Sequence, residues 1–290
     1  MQVHLVDGTY ELFRHFYGVP SHVTAKGEEV AAVRGVLGSM LAMLEDGATH
    51  LGVATDQVIE SFRNDLWAGY KTGEGIDPAL HAQFPILEDA LRAFGVTVWA
   101  MVDEEADDAL GSAAVVAQAD DRVTQALICT PDKDLGQCVG GKVVQFDRRK
   151  RLLVDIAGVR ARLGVDPESV PDYLALVGDS ADGFPGLAGW GAKSAAAVLT
   201  RYRHLEAIPP APGQWEVTVR NAPRLAATLV DEMDRALLFR DLATLRLTCE
   251  VGEVDDWRWF GPRSGCEAMA ERLEAPDLLR KARRLAAGRS

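Results

Sequence analysis

Short apolar runs that end in acids alternate with amphipathic stretches through the first half of this chain, and that alternation decides its fold. The runs are Val3–Val6, Leu51–Ala54, Val96–Val102, Ala126–Cys129 and Val143–Phe146, and they read as strands. Helical patterns lie between them, for example over Val30–Leu44 and Ile86–Phe94. Strands alternating with helices predict an α/β fold with a mostly parallel sheet wrapped by helices. Sheets of that kind hold ligands at the carboxyl ends of their strands. Four of the runs lead into acids there. Val6 meets Asp7, and Ala54 leads through Thr55 to Asp56. Val102 enters Asp103-Glu104-Glu105-Ala106-Asp107-Asp108, and Ala126–Cys129 reaches Asp132-Lys133-Asp134 through Thr130-Pro131. One acid after a strand is an ordinary turn or helix-start residue. Four sets converging on one sheet edge repel unless a cation neutralises them.

The rest of the composition narrows the class. The 290 residues are 48% hydrophobic and 26% charged, as expected of a globular protein with one large domain or a domain and a smaller companion. No run approaches the roughly 20 apolar residues of a membrane helix. Met1–Asp7 has neither a basic region nor a long apolar stretch, so a signal peptide is not expected. Cys129, Cys138, Cys249 and Cys266 form no C-x-x-C pair, and free thiols in a reducing cytoplasm are the expectation. A net charge of −12 argues against a nucleic-acid partner unless the acids are gathered where they bind cations.

From about Leu163 the pattern turns helical, interrupted by the glycine-rich segment Val177–Ala195 and by the loop Pro209-Pro210-Ala211-Pro212-Gly213. Arg280, Lys281, Arg283 and Arg284 decorate a final amphipathic helix. At a helix start Glu105 and Asp108 share a face at i, i+3, with Asp107 beside them, and the same spacing recurs in Asp179-Ser180-Ala181-Asp182. Asp132 and Asp134 alternate on an extended or turning backbone. Hard oxygen ligands in this number suit Mg²⁺ or Mn²⁺. Two such ions roughly 4 Å apart serve in-line displacement at phosphorus. Two other phosphate motifs fail on register. Leu5 stands where a D-x-D-G-T phosphatase needs its nucleophile, and Lys193 falls one residue late for a P-loop starting at Gly186.

Taken in order, the motifs resemble those of the 5′-nuclease (flap endonuclease) family, as found in the 5′-nuclease domain of bacterial DNA polymerase I and its stand-alone relatives. The matching pieces are Leu5-Val6-Asp7-Gly8, Phe62-Arg63 followed by Gly69-Tyr70-Lys71, and Glu105-Ala106-Asp107-Asp108. Asp132-Lys133-Asp134-Leu135, Leu176-Val177-Gly178-Asp179-Ser180-Ala181-Asp182, and Pro185-Gly186-x-x-Gly189-x-Gly191-x-Lys193-Ser194-Ala195 continue the series.

The resemblance implies a PIN-like nuclease core over residues 1–162 with an arch over about 63–85. It also implies a helical region over 163–290 with a helix–three-turn–helix at about 175–200. Asp7, Asp56, Glu105, Asp107 and Asp108 are then ligands or near-ligands of a first metal. Asp132 and Asp134 join or bridge two sites, and Asp179 and Asp182 complete the second. Lys71 steadies the scissile phosphate, with Arg63 and Tyr70 near it. Gly186, Gly189 and Gly191 allow tight turns against a duplex phosphate, Lys193 and Ser194 add contacts, and a K⁺ on the hairpin carbonyls is an option. The family's arch often continues Tyr-Lys with an Asn-Arg pair. Here Thr72-Gly73-Glu74 follows, and Gly183 replaces the usual Asn after Asp182.

The implied activity is Mg²⁺- or Mn²⁺-dependent hydrolysis of DNA at 5′ ends, flaps or nicks, with two or three ions, by a monomer. A stand-alone nuclease is expected, since no polymerase pattern follows. A non-catalytic DNA-junction binder and an RNA-directed PIN-like nuclease are the alternatives. His15, His50 and His204, the basic run Arg148-Arg149-Lys150-Arg151 at a hairpin tip, and the six tryptophans read as structural.

Overall fold

The computed structural model describes residues 1–289, which form two compact units. The first unit comprises 1–59, 73–130 and 246 onwards; the second comprises 60–72 and 131–245. The chain begins with β1 (Gln2–Asp7), α1 (Gly8–Gly18), α2 (Ala31–Glu45) and β2 (His50–Asp56). After α3 (Phe62–Leu66), which belongs to the second unit, come α4 (Pro78–His81), α5 (Gln83–Ala93) and β3 (Thr97–Met101). Then follow α6 (Ala106–Ala119) and β4 (Gln125–Cys129).

All four strands of the first unit are parallel, in the order β3-β2-β1-β4. Val6 lies opposite both Val53 and Cys129, and Asp7 opposite Ala54. β2 is buried along its whole length, as a parallel strand covered on both faces must be. That is why its sequence, His50-Leu51-Gly52-Val53-Ala54-Thr55-Asp56, lacks polar alternation. Asp7 ends β1 and caps α1 by accepting the Tyr10 N–H at 2.8 Å. A strand thus passes into a helix through a residue whose carboxylate stays at the sheet's carboxyl edge.

In the second unit β5 (Val143–Asp147) and β6 (Leu152–Val154) form an antiparallel hairpin. Its tip is the basic run Arg148–Arg151, where Arg151 takes a φ of 52°. Helices α7 (Ile156–Leu163), α8 (Val170–Val177), α9 (Ala192–Tyr202), α10 (Ala222–Asp231) and α11 (Met233–Ala243) follow. Gly164 ends α7 in the left-handed conformation favoured at helix C-termini. α8 packs on α9 and α11 around an aromatic centre. There Phe239 meets Trp67 edge-on at 5.2 Å and Phe184 at 5.6 Å between ring centroids. The chain then returns to the first unit, where α12 (Cys266–Arg272) packs on α5 and α13 (Pro276–Ala287) on α2. The basic residues of α13 are engaged locally: Lys281 and Arg284 both pair with Glu45.

All five strands read from the apolar runs are present, and the parallel sheet is the one the alternation predicts. The stretch 63–85 contains α3, turns, α4 and the start of α5. Among the described residues no helix is long and apolar enough to cross a membrane.

Phe239 is fully buried, and its removal leaves a cavity that its two aromatic neighbours cannot fill. Phe239→Ala should lower unfolding free energy by about 3–5 kcal/mol in a urea titration.

Candidate functional site

Each unit presents its own group of carboxylates. In the first, the strand ends deliver Asp7 and Asp56, both nearly buried. Asp7 accepts from Tyr10 N–H and from the Thr130 hydroxyl at 2.9 Å. Asp56 Oδ1 accepts the Ala106 N–H at 2.7 Å, so one strand-end carboxylate anchors the start of α6. Glu105 is the N-cap of α6, and Asp107 and Asp108 occupy its first turn. Acids are favoured there by the helix dipole.

The three are not equivalent. Asp108 is fully buried, and its oxygens accept backbone N–H groups of Glu105 at 3.0 Å and Arg246 at 2.8 Å. Its carboxylate therefore holds backbone. Glu105 is buried and Asp107 half-buried.

In the second unit Asp134, Asp179 and Asp182 bring carboxylate oxygens within 4.8 Å of one another. Asp134 begins a short 3-10 turn after β4, and Asp179 and Asp182 come from the loop after α8. Reciprocal backbone hydrogen bonds between Asp179 and Phe184, at 2.8 and 3.0 Å, pinch that loop. Asp132 lies beside Asp134 as expected from the spacing but is exposed, and its Oδ1 accepts the Asp134 N–H at 3.0 Å. The two aspartates differ because the turn begins between them.

Burial, with the Asp132, Asp182 and Asp179 carboxylates around it, raises the Asp134 pKa well above the usual range, and Lys133 opposes this. Asp134 Oδ1 is buried without a hydrogen-bond partner among the described residues. A buried, unsatisfied carboxylate oxygen facing two more carboxylates is the donor set a hard divalent cation accepts.

Two lysines sit in this group. Lys133 Nζ is bonded to Asp179 and lies 3.8 Å from Asp134 Oδ1. Burial works against its charge, yet Asp134, Asp179 and Asp132 together raise its pKa. Lys71 Nζ lies 3.2 Å from Asp182 Oδ1, and the Lys71 N–H donates to the Asp182 carbonyl at 3.0 Å. The sequence reading gave Lys133 no role. Its position between two acids of Asp132-Lys133-Asp134 was the available signal.

Other expected site residues are placed differently. Arg63 is 1% exposed and donates to the carbonyls of Leu242 at 2.8 Å and Thr244 at 3.1 Å. Those are the orphan carbonyls at the end of α11, so its guanidinium caps a helix inside the unit. Tyr70 is buried in the hydrophobic core of the same unit.

Gly186, with φ of 69°, serves the chain's own backbone, since a Cβ there would lie 2.4 Å from the Gly178 nitrogen. Gly189 also has positive φ, at 87°. Gly191 is extended, at φ −147°, and caps α9. The expected tight turn at Gly191 is therefore absent.

Gly189, Gly191, Lys193 and Ser194 do come together, lining a groove of about 620 Å³ with Thr218, Arg220 and Asn221. The first turn of α9 opens onto it. Backbone N–H groups at a helix start, beside Lys193 and Arg220, suit an anion. Arg220 and Asn221 carried no motif and were invisible to sequence reading, because the 209–221 loop brings them back to α9.

The N-terminal resolvase-like domain of the 5′-3′ exonucleases matches residues 2–164. The chain belongs to the 5′-3′ exonuclease family. The C-terminal SAM fold of the same exonucleases matches residues 165–264. The 5′-3′ exonuclease of Aquifex aeolicus (strain VF5) is 30% identical over 224 residues, covering 77% of this chain and 76% of that protein. DNA polymerase I of Pseudomonas aeruginosa is 32% identical over 295 residues, covering 96% of this chain and 31% of the polymerase. The chain thus spans about a third of the length of the polymerases it matches.

Among solved structures, T5 5′-exonuclease with bound divalent zinc covers 97% of this chain and all (100%) of its own, at TM-score 0.68 and 17% identity. The catalytic core of Rad2 in complex with a DNA substrate covers 98% and 92%, at TM-score 0.63 and 15% identity. These likenesses are of fold, and they extend the 5′-3′ exonuclease fold over nearly the whole chain.

A raised Asp134 pKa means that the folded, metal-free chain binds that proton more tightly than the unfolded chain does. Its contribution is greatest below the unfolded value of about 3.9 and is lost as pH rises towards the raised value. Metal-free Asp134→Asn should therefore melt above the wild type at pH 7, with a flatter stability profile between pH 5 and 7. A lower melting temperature at pH 7 contradicts the assignment.

Proposed function

We propose that this chain hydrolyses DNA phosphodiesters at 5′ ends and flaps with Mg²⁺ or Mn²⁺, acting as a monomer in replication or repair. The observation that carries the proposal is the group Asp134, Asp179 and Asp182, the first two of them buried, with an unsatisfied Asp134 oxygen, in a chain of the 5′-3′ exonuclease family. In this reading one ion is held by those three acids, with Asp132 at their margin. Another is held by Asp7, Asp56, Glu105 and Asp107. Asp108 organises the start of α6, and Arg63 and Tyr70 act through the packing that supports Lys71. When bound, such ions supply an activated water and neutralise charge on the phosphate. The chain's own contribution is to hold the carboxylates rigid and to present the Lys71 ammonium to the scissile phosphate.

The groove beside α9 fits the phosphate backbone of the duplex. Lys193 and Arg220 would meet phosphate oxygens there, and such contacts position a substrate without reading its sequence. A K⁺ belongs, in this reading, to the turn between Gly186 and Gly191. Residues 1–162 then act as the nuclease core and 163–290 as the helical duplex-binding region.

A labelled 5′-flap duplex incubated with the protein and Mn²⁺ or Mg²⁺ should yield short 5′ products. Absence of cleavage with either ion at protein excess contradicts the proposal and favours a non-catalytic junction binder. Asp179→Ala should abolish turnover while duplex affinity, read by fluorescence anisotropy in Ca²⁺, persists. Lys71→Ala should slow single-turnover cleavage by about 10²-fold or more; a wild-type rate rejects its role.

A further inference from the structure

Lys133 has no place in the proposed function, yet it occupies the centre of the second unit's acidic group. Its ammonium is bonded to Asp179 and lies 3.8 Å from the Asp134 oxygen that has no hydrogen-bond partner. Asp134 and Asp179 are both nearly buried, at 6% and 5% exposure. Two buried carboxylates at this separation need positive charge close by, and in the described structure Lys133 supplies it. A divalent ion needs the same oxygens. An ammonium on Asp134 and Asp179 competes with it for those oxygens, and the two cations repel one another at that distance.

We propose that Lys133 is the resident counter-ion of the metal-free site, that a divalent ion displaces it from Asp134 and Asp179, and that the freed ammonium then faces substrate phosphate. The lysine side chain is one-third exposed, so it has a way out towards solvent. Its backbone is fixed, because the Asp132 carboxylate bonds the Asp134 N–H on one side and the Gln145 side chain donates to the Asp132 carbonyl. The exchange is therefore a rotamer change of one long side chain about an anchored strand end. Its consequence is linkage: what stabilises the metal-free state over the metal-bound one weakens metal affinity by the same factor. Lys133 thus keeps the apo protein folded at some expense in metal affinity, and metal binding turns an internal cation into one that attracts DNA. The proposal rests on the reading of Asp134, Asp179 and Asp182 as a metal site.

The test uses the intact protein without DNA. Lysine acetylation by a water-soluble active ester, read by peptide mass spectrometry, is compared with and without Mn²⁺, while electron paramagnetic resonance counts bound Mn²⁺. Lys133 should be labelled at least several-fold faster with Mn²⁺, and Lys26, which makes no ion pair among the described residues, should be unchanged. Lys133→Met should lower the metal-free melting temperature and tighten Mn²⁺ binding by roughly tenfold, within the usual range of linked sites. A Lys133 that supported the fold alone would lower both stability and affinity. Mn²⁺ bound by the wild type with Lys133 labelling unchanged overturns the displacement and spares the metal site. No Mn²⁺ bound at all overturns both.

Discussion

Carboxylates gathered out of water set the terms for the whole molecule. Each buried Asp loses hydration, and each neighbour of like charge adds repulsion, so such a group persists only with positive charge or donated hydrogen bonds around it. The two units meet this demand differently. In the first, backbone N–H groups at the starts of α1 and α6 and the Thr130 hydroxyl donate to Asp7, Asp56 and Asp108. Helix N-termini aimed at the sheet edge are what a parallel βα alternation produces, and their dipoles favour negative charge. In the second unit the Ala181 N–H donates to Asp179, and Lys133 and Lys71 add positive charge. That difference leaves Asp134 with a raised pKa and an open oxygen, the state a divalent cation relieves.

The same demand bears on how an acidic chain could meet a polyanion. Many cations outside the site are spent on local acids, as Arg122 is on Asp120 and Asp255, and Arg240 on Asp172 and Glu206. Lys193, Arg220 and Arg224 form no ion pair among the described residues, and they lie in one short stretch of the second unit's surface. The net charge of −12 is therefore a poor guide to the local field, which decides encounter with a polyanion.

Sequence reading reached the strands, the parallel sheet and the acids because each is locally encoded. Apolar runs of strand length show themselves, and Asp7 and Asp56 stand at run ends where turn chemistry places them. Sequence alone does not say whether a residue type that can serve backbone or ligand does the one or the other. Asp108 looks like its neighbours Glu105 and Asp107, but only tertiary packing turns both of its oxygens onto the N–H groups of Glu105 and Arg246. Arg63 and Tyr70 adjoin Lys71 in the motif, yet the aromatic core and the end of α11 claim them. Gly186 is required by the close approach of Gly178. Lys133 was overlooked because a lysine between two aspartates reads as a solvated turn until burial is known.

The central claim is that Asp134, Asp179 and Asp182 form a divalent-metal site. Anomalous difference maps from crystals of the protein soaked in Mn²⁺ test it most directly. The account predicts a Mn²⁺ peak coordinated by the carboxylate oxygens of Asp134 and at least one of the other two, lost in Asp134→Asn. Ordered carboxylates at full Mn²⁺ saturation with no anomalous peak among them would contradict it.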